Sequence, residues 1–225
     1  MTLLAEDLTL LLLDDDSGRF THHSYLVAGL GGALLAELAL GGWVQIGEPS
    51  GLFRRSTVEP TGAPPPEHPV LADALEEVTA KDRTASELVT RLGRAAREPL
   101  LETLAERGIL RREEGRVLGL FSSTTWPTDD ARHEREMRAA LTAAIAEGRG
   151  DARAVALLSV LSAMDIAHKV LPVEGLGGRE VRRRVKEMAE GDWAAKAVRD
   201  AVAAVDAAVM SAVVATTVTG SGGSS

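Results

Sequence analysis

Cysteine is absent from this 225-residue chain, which excludes disulfides, thiolate metal sites and cysteine nucleophiles and fits a reducing compartment. Aromatic residues are scarce at 3%, with one Tyr, three Phe and three Trp. A core must therefore be built from Leu, Val and Ala, which suits packed helices better than a sandwich of bulky strands. Basic charge is in deficit: the formal net charge is −8. A surface that binds nucleic acid or anionic lipid all over is excluded, so any anion site must be local. Runs with the flanks of a signal peptide or the length of a membrane span are missing too. The leucines at 10–13 follow Glu6 and Asp7 and lead into Asp14, Asp15 and Asp16, with no basic start and no small-residue cleavage site. The apolar run 207–218 is short and shares its predicted helix with Asp200 and Asp206. No transmembrane segment is expected, and the expected location is cytoplasmic.

What is present is a stretch at 25–46, YLVAGLGGALLAELALGGWVQI, in which glycine and alanine interleave with leucine. Leu26, Leu30, Ala33, Leu34, Glu37, Leu38 and Leu40 recur at helical spacing, and Gly29, Gly31, Gly32 and Ala36 leave little volume on the other faces. Each glycine costs about 1 kcal/mol of helix propensity against alanine, so neighbouring helices must offset that by close backbone packing. This helix is predicted to be central. With 45% hydrophobic residues the chain can bury one sizeable core. The expectation is a mainly α fold: one multi-helix domain over 1–219, with one or two small β-hairpins and a flexible tail at 220–225.

Along the chain, 3–13 reads as a short amphipathic helix stopped near Gly18, and Ser24 as the N-cap of the central helix. WVQI and the LFRRSTV segment beyond Gly51 could pair as a hairpin, with Arg54 and Arg55 on its edge. The proline-rich 61–69, TGAPPPEHP, reads as an exposed linker. ADALEEVTA, SELVTRLG and PLLETLAERG read as successive helices, the last started by Pro99 and capped by Gly108. ILRREEGRVLGLF at 109–121 reads as a hairpin turning at Glu113, Glu114 and Gly115. Helices are predicted over 129–147, 151–170, 179–189 and 193–218.

The central helix with its ALLAELAL core, the following Gly41 and Gly42, and the opening EDLTLLLLDDDSGR together resemble the Golgi phosphoprotein three family, with gaps, from about Leu3 to about Val218. The resemblance implies an all-helical domain that docks on the cytosolic face of a membrane through a phosphoinositide headgroup.

The candidate site lies in RLGRAAREPL, where Arg94 and Arg97 stand three apart just before the helix that Pro99 is expected to start. Unsatisfied donors and the positive dipole end favour a phosphate at a helix start, and two guanidinium groups add fork-shaped hydrogen bonds. On spacing alone the pair also reads as a solvated face balanced by Glu98 and Glu102. The family's headgroup site uses an R-x-x-R at this place, which turns the reading to lipid. The resemblance aligns His22 with a membrane-facing tryptophan of the family and Gly31 with a further arginine. Both departures imply weaker binding, less selective for phosphatidylinositol 4-phosphate or another phosphoinositide.

Arg179, Arg182 and Arg183, with Arg184 and Lys186, form a second basic cluster that either faces a membrane or pairs with Glu180, Glu187 and Glu190. In the hairpin, Val117, Leu118 and Leu120 form an apolar edge expected to drive homo-oligomerisation, a use the family resemblance also implies. The runner-up reading is a winged-helix DNA-binding domain, from the order SELVTRLG, PLLETLAERG, hairpin. The would-be recognition helix offers Glu102, Thr103 and Glu106 and a single arginine, so no nucleic acid is expected. His133-Glu134 lacks a second histidine, Asp14 to Gly18 lacks the spacing of a calcium loop, and no strand precedes Gly29 to Gly32. No metal, cofactor or catalytic constellation is expected. The partner expected is an anionic membrane lipid.

Overall fold

The structure is a computed structural model that describes residues 2–46, 57–117, 121–191 and 205–214. It is mainly helical, at 63% helix, with nine helices and two small antiparallel sheets among the described residues. The helices are α1 Leu4–Leu12, α2 His23–Leu40, α3 Pro69–Thr79, α4 Ala85–Glu106, α5 Arg132–Glu147, α6 Ala152–Ala163, α7 Ala167–Val170, α8 Gly178–Glu190 and α9 Val205–Val214. Strand β1 Val44–Ile46 pairs with β2 Val58–Pro60, and β3 Glu113–Val117 with β4 Phe121–Thr125.

α2 is central because its glycines admit three neighbours. A Cβ at Gly29 would meet Met164 Sδ at 2.6 Å, one at Gly31 would meet the Val89 carbonyl oxygen of α4 at 1.8 Å, and one at Gly32 would meet Val209 of α9 at 2.4 Å. α4 answers with its own glycine, Gly93, whose Cβ would lie 1.8 Å from the Val27 carbonyl oxygen. The backbones of α2 and α4 are thus in direct contact, and no longer side chain fits between them. By length and composition α2 could cross a membrane, yet 72% of it is buried. Its apolar faces meet α1, α4 and α6, where a spanning helix would turn them to lipid.

Several sequence expectations are corrected by tertiary packing. α1 is not amphipathic in effect, since every residue from Leu4 to Leu12 is buried under α2, α4, α5 and α6. The N-cap of α2 is His22, and its side chain makes no capping bond; Ser24 lies inside the helix. The predicted helix over 151–170 breaks at Asp165, which takes a left-handed φ of 53° between α6 and α7. Asp tolerates that region better than most residues.

The main correction concerns Pro99, which starts no helix. α4 runs unbroken from a Thr84/Glu87 capping box to Arg107, with Pro99 inside it. Proline removes the bond from position 99 to the Ala95 carbonyl, but Ala95 and Pro99 are both exposed, so water can serve that oxygen. Leu92, Ala96, Leu100, Leu101 and Leu104 are buried on either side of it and hold the helix straight through. The turn that a winged-helix reading needs here is therefore missing. Gly108 does end the helix: its φ is +68°, its N–H donates to Ala105, and that of Ile109 donates to Leu104, the two bonds of a Schellman cap.

The second hairpin also differs from expectation. Glu113, Glu114 and Gly115 lie within β3, not at its turn, and Val117 pairs with Phe121 across residues 118–120. Leu118 and Leu120 lie outside the described residues, as do Arg54, Arg55 and most of the LFRRSTV segment.

Candidate functional site

α4 carries both arginines on its exposed side. Arg94 and Arg97 are solvent-exposed, and neither forms an ion pair among the described residues. The two acids expected to balance them do not: Glu102 lies 3.9 Å from Arg112, and Glu98 has no ion pair among the described residues.

Which helix start lies beside these arginines follows from the α2–α4 contact. Val89 sits against Gly31 and Gly93 against Val27, so the two helices run antiparallel and one further turn brings Arg97 to the beginning of α2. The side chains agree with that register. The Arg97 guanidinium lies over the Phe20 ring at 5.2 Å, and Phe20 meets His23, the first residue of α2, edge-on at 6.4 Å between ring centroids. Stacking engages the face of the guanidinium and leaves its N–H edges free for oxygen acceptors. His23 and Ser24 are exposed, and no side chain caps the first turn. The anion-attracting helix start is that of α2, the longest run of aligned dipoles in the core apart from α4 itself.

Arg94 points to another feature. With Arg91 it lines one wall of a groove of about 510 Å³ between α3 and α4. Asp73 and Glu77 stand on the opposite wall, and Leu34, Val70, Ala74, Leu92 and Ala96 contribute apolar lining. Arg91 spans the groove to Glu77 at 2.5 Å, holding the Glu77 carboxyl below its ordinary range chiefly through that hydrogen bond.

Neither His22 nor Gly31 lines the α3–α4 groove with Arg94, although His22 is the N-cap of α2. His22 lines a separate cleft with Asp14, Asp15, Asp16, Arg138 and Lys169. Partial burial, then the charge of Lys169, pushes its pKa below the ordinary histidine value. Gly31 is buried against the α4 backbone, where an arginine side chain could not be placed without parting the two helices.

The second basic cluster is mostly neutralised within the fold, against the membrane-facing alternative. Arg182 pairs with Asp165 at 2.6 Å. Arg183 pairs with Glu180 and Glu187, both at 2.6 Å. Arg184 bonds Glu180 at 2.8 Å and the carbonyls of Ile145 and Ala146 at the end of α5, where a cation is favoured. Hydrogen bonds from Arg183 and Arg184 hold Glu180 down at about 2. Arg179 alone of the predicted trio is exposed without an ion pair among the described residues.

A polar cluster escaped the sequence reading. Glu6, Asp7 and Glu37 are buried at the start of α1. Glu37 accepts from the Leu4 N–H at 2.5 Å and from Arg153 at 2.6 Å. Arg153 also reaches Asp7 at 3.3 Å and the Thr2 carbonyl, Arg107 reaches Glu6 at 3.0 Å, and His133 Nε2 lies 2.7 Å from Asp7. Acidic residues ahead of a leucine run were its only signal, because the partners come from distant parts of the chain. It fixes the N-terminus to α4, α5 and α6, with Glu6 Oε1 buried without a hydrogen-bond partner and 3.8 Å from His68. Among the described residues no group of His, Cys, Asp and Glu is placed to hold a metal.

No curated protein matches this chain. The family model for Golgi phosphoprotein 3 (GPP34) matches residues 4–205, a span that takes in the buried start of α1, the α2–α4 contact and both arginines. The chain belongs to the Golgi phosphoprotein 3 family.

Proposed function

We propose that this protein is a peripheral membrane protein that binds a phospholipid headgroup through Arg94 and Arg97 beside the start of α2. One observation carries the reading. Most described arginines are neutralised by a carboxylate, whereas Arg94 and Arg97 are not, and among the described residues without such a partner only these two lie three apart on one helix. Leaving two cations unpaired near each other has an electrostatic cost that a bound phosphate would remove, and the first-turn donors of α2 would share the same oxygens. Family membership supports the reading at the level of a Golgi phosphoprotein. Without an arginine at position 31 and with His22 turned to another cleft, the site has fewer contacts to one headgroup, so binding is salt-sensitive and weakly selective among acidic lipids. The protein acts without catalysis, on the cytosolic face of a membrane.

The test is co-sedimentation with vesicles containing phosphatidic acid, phosphatidylserine or phosphatidylinositol 4-phosphate. Each arginine at an anionic surface contributes about 1 kcal/mol, so Arg94→Ala with Arg97→Ala should weaken binding about thirtyfold, with the melting temperature unchanged. Vesicle binding equal to wild type, or a DNA shift that the double variant abolishes, would refute it.

A further inference from the structure

The α3–α4 groove has a polar mouth of two opposite charges that do not meet. At one level Glu77 of α3 and Arg91 of α4 close the gap with an ion pair at 2.5 Å. One turn along, antiparallel packing brings Asp73, four residues before Glu77, opposite the stretch that holds Arg94, three residues after Arg91. Both line the groove and both are exposed. Among the described residues neither has an ion-pair partner, and they do not pair with each other. Beneath them the groove is apolar, and its volume of about 510 Å³ falls in the range of small-molecule sites.

A purely anionic ligand would satisfy Arg94 and be repelled by Asp73. A simple cation would meet the reverse. The ligand complementary to the whole groove carries an anion and a cation a few atoms apart on an apolar body. We infer that the groove takes the headgroup of an amino-bearing membrane phospholipid, with its phosphate on Arg94, its ammonium at Asp73 and the start of an acyl chain on Leu34, Val70, Ala74 and Leu92. This rests on the reading of Arg94 as a headgroup ligand and adds the class of headgroup. Arg97, three residues further along α4, does not line the groove and stays over Phe20 at the α2 start.

The test is isothermal titration of the full chain with two phosphodiesters that differ only in the ammonium group: hexyl aminoethyl phosphate and hexyl ethyl phosphate. Wild type should bind the aminoethyl ester about fivefold more tightly, the contribution of one exposed ion pair. Asp73→Asn should bring that ratio to near one. Arg94→Ala should lose both ligands. Ala95→Trp, a change at an exposed residue of the groove wall, should weaken both with the fold intact. Methyl aminoethyl phosphate should bind at least tenfold more weakly than its hexyl analogue, since each methylene buried in a half-open groove contributes up to about fourfold. Equal affinity for the two hexyl esters in wild type, or a preference that survives Asp73→Asn, overturns the inference. So does hexyl binding no tighter than methyl, which is the result for a groove that houses a partner's helix. If vesicle binding still depends on Arg94 and Arg97 in those cases, the headgroup reading stands and this inference alone falls. If vesicle binding ignores both arginines, both fall.

Discussion

Gly93→Ala adds one methyl group at the point that sets the site's geometry. On propensity alone the change favours the α4 helix by about 1 kcal/mol. In the fold the new Cβ would lie 1.8 Å from the Val27 carbonyl oxygen and 3.0 Å from the Gly31 nitrogen. Both are backbone atoms of a helix buried on nearly every side, so no rotamer change can relieve the overlap, and α2 and α4 must separate. Overpacking of this kind costs about 1–3 kcal/mol, and the upper end applies where backbone meets backbone. The net expectation is a loss of about 2 kcal/mol after subtracting the propensity gain, or roughly 4–8 °C in melting temperature for a chain of this size. Urea unfolding followed by circular dichroism should show a lower midpoint with an unchanged slope. Gly31→Ala should do the same through the Val89 carbonyl, and the double variant should lose less than the sum, because helices already parted by one methyl have room for the other. A Gly93→Ala protein as stable as wild type, or more so, would refute the backbone contact and with it the register that places Arg97 at the start of α2.

Arg153→Ala should destabilise by about 3 kcal/mol in urea unfolding, because it removes the ion-pair partner of the buried Glu37, while Asp7 keeps His133; a loss under about 1 kcal/mol would show that the cluster is hydrated. Asp206 on α9 is half-buried, its Oδ1 is buried without a hydrogen-bond partner, and desolvation pushes its pKa up to about 7. Between about pH 4 and pH 7 the native state then holds a proton that the unfolded chain has released, so stability should fall as pH rises through that window, by at most about 4 kcal/mol. Asp206→Asn should flatten that fall, and an unchanged pH profile would contradict the assignment. Strands β3 and β4 pair only with each other among the described residues, and removing 113–125 should lower the mass seen by light scattering if this ribbon self-associates; an unchanged mass with the helical signal intact would place association elsewhere.

Much of the fold was legible because local rules and tertiary packing agree there. A helix at 25–40 flanked by helices follows from leucine periodicity and from glycines that only close neighbours can offset, and Gly108 ends α4 where a left-handed residue is needed. The misreadings share a cause. Pro99 looks like a helix start because proline favours the first turn, yet its missing bond faces water and the leucines around it hold α4 to the core. The Asp165 break is hidden because an aspartate in a left-handed conformation leaves no pattern in hydrophobic spacing. Glu113, Glu114 and Gly115 read as a turn because charge and glycine favour one, while pairing with Thr125, Thr124 and Ser123 places them in a strand.

The sequence by itself determined that this is a cysteine-free helical protein around one glycine-lined helix, and that it carries an Arg-x-x-Arg pair at positions 94 and 97. Those properties depend on residue volume, propensity and spacing, which are local. Only the tertiary structure decided that the pair lies within one continuous helix, which helix start stands beside Arg97, that Gly31 is a packing residue, that His22 belongs to another cleft, and that Arg182 and Arg183 are already paired. It also decided that Arg94 faces Asp73 across a groove. Each of these depends on which atoms distant segments bring within a few ångströms, and charge pairing and close backbone contact fall off too steeply with distance to be read from order along the chain.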